Sequence, residues 1–279
     1  MKVSGKIVAE AILKKLDKEI QKKNLHPGLA IILANNNPAS RIYVNNKIKA
    51  AQRIGIDAKV YEFTKDESDK CLRKIKRLNQ ETSVNGIIVQ YPTFDEWDFE
   101  KFEKSIKIEK DVDGFLSDSP FIGATALGIW EMLTAFALIE GFKKTDDFLK
   151  GKKIVILGKG KAAGGPVTKL LQDKGFNIES IIKETKDKTT KIRSGDVVIS
   201  ATGVKHIVNK NNLKKGAYVI GVGAGKEIIN GEEKTYGDLN EEDVSKIAKL
   251  YCPTIGGIGP LTVVSLLKNV VESAKGVMS

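Results

Sequence analysis

KKIVILGKGKAAGGPVTKLLQDKG (residues 152–175) is the stretch of sequence that decides the fold. An apolar run of strand length leads into the glycine-rich turn GKGKAA (158–163), and a helical pattern follows it. A tight turn between a buried strand and a helix N-terminus lets backbone N–H groups approach the pyrophosphate of a dinucleotide. The stretch therefore predicts a dinucleotide-binding turn, with Ala163 at the third glycine position. A glycine-rich turn of an ordinary doubly wound sheet is the alternative that this motif alone leaves open.

Strand and helix patterns alternate on both sides of this turn, as in parallel sheets with crossover helices. Helical periodicity predicts helices over residues 6–22, 38–55, 71–80 and 259–276. Short apolar runs predict strands over residues 28–34, 58–63, 84–92, 177–183, 195–203 and 216–223. In the helix over 38–55, Ser40 is the expected N-cap and Gly55 the expected end.

The predicted fold class is therefore α/β, with two domains. Residues 1–119 form an N-terminal α/β catalytic domain. Residues 120–261 form a C-terminal, Rossmann-type NAD(P)-binding domain built on a doubly wound parallel sheet. We expect the C-terminal helix, residues 262–279, to pack back on the first domain.

The charge of the chain is strongly positive but does not identify a partner. The formal net charge is +11, and acidic and basic residues interleave as they do on solvated helix faces. No run of aromatic residues among basic ones offers a stacking surface for nucleic acid. An anionic small molecule fits a diffuse positive field equally well. The charge therefore decides nothing by itself, and the missing stacking surface leads us to expect no nucleic-acid partner.

Cysteine and histidine provide little material for metal or redox chemistry. Cys71 and Cys252 lie far apart and match no paired-ligand spacing, so we expect reduced thiols in the cytosol. No motif surrounds His26 or His206, so we expect no metal site. The N-terminus lacks the apolar core and cleavage site of a signal peptide. The apolar stretch 122–142 is broken by glycines, threonines and an acid, which favours a buried interdomain helix over a membrane span.

Polar side chains in the first part of the chain lie where α/β sheets place ligands. Tyr43 and Lys47 are four residues apart on one predicted helix, so their side chains project from the same face. Gln90 stands at the carboxyl end of a buried strand, which is where such sheets bind ligands. The spacing alone leaves open an ordinary exposed helix face and a strand-end glutamine that hydrogen-bonds to a loop.

Ordered motifs surround the dinucleotide turn, namely NPASRIYVNNKIKAAQRIGI (37–56), GIIVQYP (86–92), KDVDGF (110–115) and PTIGGIGPLT (253–262). Together they resemble the hallmarks of the bifunctional methylenetetrahydrofolate dehydrogenase/cyclohydrolase family nearly from end to end. The resemblance implies an enzyme that oxidises 5,10-methylenetetrahydrofolate with NADP and hydrolyses the methenyl product to 10-formyltetrahydrofolate. It also implies a role in one-carbon metabolism and purine biosynthesis, and a homodimer formed through the cofactor domain.

The resemblance assigns roles to individual residues. Lys47 matches the catalytic lysine of the family, and Gln90 matches the glutamine that positions and tunes it. Tyr43 matches the tyrosine that packs on the aromatic part of the substrate, and Asp113 matches the aspartate at the pterin edge. The catalytic set implied is Lys47, Tyr43, Gln90 and Asp113. The substrate-binding set is Ser40, Tyr43, Gln90, Asp113, Gly259 and Pro260. The cofactor-binding set is Thr125, Gly158, Lys159, Gly160, Lys161, Ala163, Lys183, Thr202 and Gly203.

The chemistry that these roles imply is coherent. Hydride transfer from the methylene carbon to nicotinamide needs positioning more than a base. Hydrolysis of the methenyl bridge needs activated water and a proton carrier, and desolvation can lower a lysine pKa enough for that task. Lys47 with Gln90 is therefore the expected cyclohydrolase centre. Asp113, an acceptor when ionised, suits the donor edge of a pterin.

Cations near the second strand of the dinucleotide unit bear on the choice of cofactor. Lys183 and Lys186 flank Glu184 near the end of that strand, and Lys159 lies in the turn. An acid at this strand end suits the ribose of NAD, whereas cations suit a 2′-phosphate. We therefore favour NADP and leave NAD open.

The sequence departs from the family on the cofactor side. An arginine–serine pair of the family turn appears here as Lys159–Gly160, and lysine acts as a point charge rather than a bidentate fork. GATALG (123–128) keeps the threonine of a cysteine–threonine–proline segment, and Gly221 stands where the family has aspartate. These changes concern the cofactor, and the four folate positions keep their polar residues.

Other functions compete with the bifunctional assignment. A dehydrogenase without useful cyclohydrolase activity is the nearest, and retention of Lys47 and Gln90 argues against it. A dehydrogenase of shikimate type shares the two-domain plan but leaves the folate set unexplained. A nucleotide-sensing binding module with a decayed site is disfavoured because all four folate positions carry polar residues. We expect tetrahydrofolate derivatives as substrates, polyglutamylated or not, no membrane partner, and a cytoplasmic location.

Overall fold

The computed structural model describes residues 1–229 and 231–276. The helices are α1 (Gly5–Lys23), α2 (Pro38–Arg53), α3 (Ser68–Leu78), α4 (Phe99–Glu103), α5 (Ala124–Ile139), α6 (Thr145–Leu149), α7 (Gly164–Asp173), α8 (Lys188–Arg193), α9 (Glu241–Ile247) and α10 (Ile258–Ala274). The strands are β1 (Gly28–Leu33), β2 (Asp57–Glu62), β3 (Gly86–Val89), β4 (Ile154–Leu157), β5 (Ile178–Ile181), β6 (Val197–Ser200), β7 (Tyr218–Gly221), β8 (Ala224–Ile229), β9 (Glu232–Gly237) and β10 (Leu250–Cys252). The predicted α/β class with parallel sheets is confirmed.

The chain divides into two compact units, each built on its own parallel sheet. Residues 10–124 and the chain from 263 onward form the three-stranded unit, and residues 1–9 and 125–262 form the five-stranded unit. The chain thus passes from one unit to the other at 9/10, 124/125 and 262/263. The domain boundary expected at 119/120 stays a prediction, and residues 277–279 of the expected last helix lie outside the described residues.

The three-stranded unit has the strand order β2-β1-β3, with all strands parallel. Every residue of β1 is buried, as expected for a central strand covered on both faces. Cys71, Ile75 and Leu78 of α3 share a core cluster with Ile87 and Val89 of β3. Because side chains alternate along a strand, Ile88 and Gln90 point to the opposite face.

Helix α2 begins differently from the prediction. The Asn37 side chain accepts a hydrogen bond from Ala39 N at 2.9 Å, so Asn37 rather than Ser40 is the N-cap. Pro38 follows in the first turn, where a missing N–H costs nothing. The expected capping role of Ser40 is therefore wrong, because the asparagine before the proline already provides the acceptor. Ser40 is instead 6% exposed and belongs to the buried face of α2.

The five-stranded unit has the strand order β10-β7-β6-β4-β5, again with all strands parallel. Strand β4 lies between β5 and β6, so the connection leading to β5 and the connection leading on to β6 run to opposite sides of β4. Such a switch point opens a crevice at the carboxyl ends of the strands, where doubly wound sheets bind ligands. All residues of β4, β6 and β7 are buried, which explains their continuous apolar sequences.

Parts of the five-stranded unit lay outside the sequence prediction. Strands β8 and β9 form an antiparallel hairpin, and the short strand β10 completes one edge of the sheet. The apolar stretch over 122–142 contains the 16-residue helix α5. Within the described part of the chain, no helix has both the length and the apolar character to cross a membrane.

Candidate active site

A buried lysine–glutamine pair lies at the centre of the three-stranded unit. Lys47 Nζ donates a hydrogen bond to Gln90 Oε1 at 3.0 Å, and the two residues are 4% and 8% exposed. Gln90 Nε2 donates in turn to the Tyr91 carbonyl at 2.8 Å. This second bond fixes the orientation of the amide, because its donor end is already used. The amide oxygen of Gln90 is therefore held towards the lysine amine.

The fold places this pair by simple geometry. Ser40, Val44, Lys47 and Ala51 form the buried stripe of α2 at helical spacing. Gln90 follows the last residue of β3 and points to the face opposite the α3 cluster. Strand-end position and helical stripe thus bring Lys47 and Gln90 together, the pairing that the family resemblance implied.

The protonation of Lys47 and Asp113 is governed by their removal from water. Burial lowers the pKa of Lys47, and the negative charge of Asp113 opposes that shift. Burial raises the pKa of Asp113, and the positive charge of Lys47 opposes that shift. Desolvation is the larger effect for both groups, so each moves towards its neutral form. A lowered pKa brings an amine closer to the range in which it can both accept and release a proton at neutral pH.

Tyr43 provides a flat apolar wall beside the amine. Lys47 Nζ lies 5.0 Å from the centroid of the Tyr43 ring, and the ring is half-buried. Helical spacing puts Tyr43 one turn before Lys47, with Ser40 at the start of the same helix. The three residues therefore line one face of α2.

The loop that carries Asp113 is shaped by two glycines. At Gly86, in β3, a Cβ atom would lie 2.6 Å from Val112 Cγ2, so only glycine lets Val112 pack there. Gly114 has φ of +67°, and a Cβ atom there would meet the backbone of Gly123 at 2.6 Å. A side chain would be excluded at both positions. Gly86 thus lets Val112 pack against β3, and Gly114 lets the chain turn sharply after Asp113.

A cavity of about 430 Å³ lies at the switch point of the five-stranded sheet. Its lining residues are Leu157, Gly158, Gly160, Ile181, Ile182, Lys183, Lys188, Ala201, Thr202, Val204 and Ile207. The predicted cofactor residues Gly158, Gly160, Lys183 and Thr202 are among them. The others on this side of the unit, Lys159, Lys161, Ala163 and Gly203, lie in the same two turns. The predicted turn and the switch point thus coincide.

The third glycine of the turn is Gly164, and the assignment of Ala163 to that position is corrected. A Cβ atom at Gly164 would lie 2.2 Å from the Gly158 carbonyl oxygen, so close packing of helix on turn requires glycine there. Gly158 itself has φ of +89° and faces the Ala201 carbonyl at a distance that no Cβ allows. Ala163 precedes α7 and is half-buried. The glycine spacing 158–160–164 was visible in the sequence, but the adjacent Gly164–Gly165 pair obscured it.

The cationic lining of the cavity suits a phosphate group. Lys183 and Lys188 line it, and Lys188 Nζ donates to the Lys183 carbonyl at 2.7 Å. The lining residues within the described chain include these two cations and no carboxylate. Lys188 was missed by the sequence analysis, since it lies beyond the strand end, at the start of α8. A turn that excludes side chains at Gly158 and Gly164, beside two lysines, fits the pyrophosphate and 2′-phosphate of NADP.

Asp238 is a second residue that the sequence analysis missed. It is fully buried, and its Oδ2 accepts from Ser200 Oγ at 2.6 Å and from Thr202 N at 2.7 Å. Ser200 ends β6, so Asp238 holds the turn that lines the cavity. Gly223 must lack a side chain here, because a Cβ atom would lie 2.5 Å from an Asp238 oxygen. No local sequence signal marks this acid, because its partners are distant in the chain.

The remaining predicted residues lie in the five-stranded unit. Thr125 is half-buried in the first turn of α5, and its Oγ1 is 3.5 Å from Thr262 Oγ1. Gly259 is exposed and Pro260 half-buried in the first turn of α10. Lys47, Gln90 and Asp113 belong to the three-stranded unit instead.

Metal and thiol chemistry find no support in this geometry. Among residues 1–229 and 231–276, no group of three or more His, Cys, Asp or Glu side chains is arranged to hold a metal ion. Cys71 and Cys252 are both buried, and burial raises the pKa of each thiol to about 12. A thiolate nucleophile at either position is therefore disfavoured near neutral pH.

Both parts of the chain match one family of known proteins. Residues 3–113 match the family model described as "Tetrahydrofolate dehydrogenase/cyclohydrolase, catalytic domain". Residues 124–278 match the model described as "Tetrahydrofolate dehydrogenase/cyclohydrolase, NAD(P)-binding domain". The chain belongs to the tetrahydrofolate dehydrogenase/cyclohydrolase family. The resemblance stated from the sequence motifs is confirmed.

Individual members of the tetrahydrofolate dehydrogenase/cyclohydrolase family align over nearly the whole chain. The bifunctional protein FolD of Aquifex aeolicus is 35% identical, with 98% of this chain and 94% of the relative covered. A FolD crystal structure from Campylobacter jejuni has a TM-score of 0.86 at 32% identity, with 99% of each chain covered. The FolD structure from Trypanosoma brucei, complexed with NADP cofactor and inhibitor, has a TM-score of 0.88 at 30% identity, covering 99% of this chain and 97% of that one. Shikimate 5-dehydrogenase from Thermus thermophilus, at 12% identity and a TM-score of 0.50, shares the fold alone.

One departure from the tetrahydrofolate dehydrogenase/cyclohydrolase family pattern has a structural reason. Gly221 ends β7, and a Cβ atom there would lie 2.4 Å from Thr254 Oγ1 and 2.8 Å from Leu239 Cγ. The space for a side chain is therefore taken by Thr254 and Leu239. An aspartate at position 221 would require both neighbours to move.

Proposed function

We propose that this chain oxidises 5,10-methylenetetrahydrofolate to the methenyl form with NADP and hydrolyses that product to 10-formyltetrahydrofolate. Family membership supports both activities. The observation that carries the proposal is the buried Lys47–Gln90 pair, with Tyr43 and Asp113 beside it. A buried amine with a lowered pKa is costly to stability, and such groups are concentrated in active sites.

The pair accounts for the hydrolytic step. Water adds to the methenyl carbon, and Lys47 Nζ accepts the proton that the water loses. The same proton then passes to the ring nitrogen as its bond to the carbon breaks, and the hydroxyl proton of the adduct is released to water as the formyl C=O forms. The lysine thus ends in its starting state, and the net reaction of the methenyl cation with water releases one proton. Gln90 holds the amine in place and provides an acceptor that carries no charge. A neutral acceptor leaves the lysine pKa low, whereas a carboxylate would raise it.

The neighbouring side chains orient the substrate. Asp113 accepts hydrogen bonds from the N–H groups at the pterin edge. The ring of Tyr43 packs against the aromatic part of the substrate, and aromatic pairs of this kind contribute about 0.5–1.5 kcal/mol beyond area burial. We assign Ser40, Gly259 and Pro260 to the same substrate as further contacts.

The five-stranded unit holds the cofactor. Bound NADP supplies the hydride acceptor. Gly158, Gly160 and Gly164 leave the backbone bare for the pyrophosphate, and Lys183 with Lys188 receive the 2′-phosphate. Thr202 and Gly203 form the facing turn, with Lys159 and Lys161 adding positive charge. Thr125 is assigned to the nicotinamide end.

Further features of the proposal extend beyond the active site. We infer that the protein works as a cytoplasmic homodimer and accepts polyglutamylated tetrahydrofolates. We place its product in purine biosynthesis. We also propose that residues 1–119 with the last helix form the folate domain, and that residues 120–261 form the NAD(P)-binding domain.

The test is a pair of absorbance assays on the purified protein. Wild-type protein is expected to reduce NADP with methylenetetrahydrofolate and to hydrolyse methenyltetrahydrofolate. Lys47→Ala is expected to lose at least about 100-fold of the hydrolysis, the low end of a general acid–base contribution, while reduction of NADP persists. Lys49→Ala, an exposed lysine of the same helix, is the matched control. Absence of turnover with both NADP and NAD would overturn the assignment, and equal loss in both variants would remove Lys47 from the centre.

A further inference from the structure

A buried carboxylate outside the assigned set lies two residues before Asp113. Asp111 is 3% exposed and forms no ion pair with any Lys, Arg or His of the described residues. The negative charge of Asp113 raises the pKa of Asp111 further. The positive charge of Lys47 acts on Asp113 and lowers its pKa. Burial raises the pKa of Asp111 to about 6 in spite of its hydrogen bonds. Such a group costs stability when ionised, so its presence calls for another explanation.

The hydrogen bonds that Asp111 accepts all close the turn that contains Asp113. Its carboxylate accepts from Leu116 N at 2.9 Å and from Phe115 N at 3.4 Å. Its backbone carbonyl accepts from Gly114 N and from Ser119 Oγ, both at 3.1 Å. The residues on the far side of Asp113 are thus tied back to the residue two positions before it.

A second buried side chain holds the same loop from α10. Asn269 is 5% exposed, and its Nδ2 donates to the Val112 carbonyl at 2.9 Å and to the Ile122 carbonyl at 3.0 Å. Ala124 N donates to the carbonyl of Asp113 itself at 3.3 Å. Backbone on either side of Asp113 is therefore held, and its half-buried side chain is left to face Lys47.

We propose that Asp111, braced by Asn269, is a positioning residue for the reaction, and that it sets the place of the Asp113 carboxylate for substrate binding. This inference rests on the proposed function. Asp111 makes no contact with the substrate in this account and acts through Asp113. A carboxylate suits the task because its two oxygens accept from two adjacent backbone N–H groups. A side-chain amide has only one acceptor oxygen, and a hydroxyl is a single atom.

A double-mutant cycle on substrate binding tests the inference. The dissociation constant of tetrahydrofolate is measured by calorimetry for wild type, Asp111→Asn, Asp113→Asn and the double variant. Asp111→Asn is expected to raise the constant about 10-fold, equivalent to ~1.4 kcal/mol. In the Asp113→Asn background the same change is expected to raise it less than about 2-fold, because residues that act through one another are not additive. The dissociation constant of NADP serves as the internal control and is expected to stay unchanged.

Ser119→Ala provides a milder perturbation of the same brace. It removes the hydroxyl bond to the Asp111 carbonyl and is expected to raise the tetrahydrofolate constant about 3-fold, again only when Asp113 is present. An effect of equal size in both backgrounds, or no effect in either variant, would overturn the positioning role. Failure of wild type to bind tetrahydrofolate would instead overturn the proposed function, so the two failures are distinguishable.

Discussion

Replacing Asp111 with asparagine should change how the stability of the three-stranded unit depends on pH. The pKa of Asp111 is raised from 3.8 to about 6 by burial. A carboxyl with a raised pKa binds its proton more readily in the folded state than in the unfolded chain. Its contribution to stability is therefore fully present below the unfolded pKa and is lost as the pH rises through the folded pKa. Asparagine cannot ionise, so it escapes this loss.

The size of the effect follows from the shift. A difference of about 2 pKa units corresponds to about 3 kcal/mol, at ~1.36 kcal/mol per unit. Asp111 is 3% exposed, so little solvent screening applies. The free energy of unfolding of Asp111→Asn, minus that of wild type, should therefore rise by about 3 kcal/mol between about pH 3.5 and pH 7. Any change in hydrogen bonding shifts this difference by an amount that is independent of pH. The prediction therefore concerns only how the difference in unfolding free energy changes with pH.

The two tryptophans of the chain allow the measurement to be made in the right unit. Trp97 is buried in the core of the three-stranded unit, and Trp130 lies in α5. Urea unfolding followed by fluorescence in a Trp130→Phe background reports the unit that contains Asp111. Asp118→Asn, which removes an exposed acid from the same loop, is the matched control for loss of one negative charge. A difference that stays flat with pH, or falls as pH rises, would refute the reasoning.

Three further predictions concern the two sites. Gln90→Glu places a carboxylate 3.0 Å from Lys47 Nζ, which raises the lysine pKa. The limb of the hydrolysis pH–rate profile should therefore move to higher pH, and an unmoved profile would contradict the role of Lys47. Gly164→Ala puts a Cβ atom 2.2 Å from the Gly158 carbonyl oxygen. Calorimetry should therefore show NADP binding at least about 10-fold more weakly while tetrahydrofolate binding is retained. Equal weakening for both ligands would point to general unfolding. Lys188→Ala should lower the preference for NADP over NAD about 10-fold, which is the value of one charged hydrogen bond. An equal loss of affinity for both cofactors would show that Lys188 does not contact the 2′-phosphate.

Sequence patterns predicted the parts of the fold and site that depend on local periodicity. The pairing of Lys47 with Gln90 came from the family resemblance, whereas the helix over 38–55 and the strand that ends at Gln90 were both visible as patterns. The same holds for the turn after β4, whose strand and helix are regular. Patterns of this kind indicate strands and helices, and parallel-sheet geometry then places the carboxyl ends of the strands along one edge, where ligands bind.

Residues whose role depends on contacts distant in sequence could not be found in this way. Gly164 is required because of a carbonyl across the turn, and Asp238 because of a strand end 38 residues earlier. The β8–β9 hairpin was missed because most of its residues are exposed and no strict apolar alternation marks it. No sequence pattern marked Asp111, two residues before Asp113. Its burial and its bonds to later residues appear only in three dimensions.

The brace by Asn269 has a consequence for the order in which the loop around Asp113 can form during synthesis. Asn269 lies 157 residues after Val112 in the chain, yet it holds the carbonyls of Val112 and Ile122 on either side of Asp113. Residues 125–262, which carry all strands of the five-stranded sheet, are synthesised between this loop and Asn269. Because the ribosome adds residues from the N-terminus onward, these strands can pair before Asn269 is available to the loop. The five-stranded sheet therefore has the means to form first, and the loop acquires its brace afterwards.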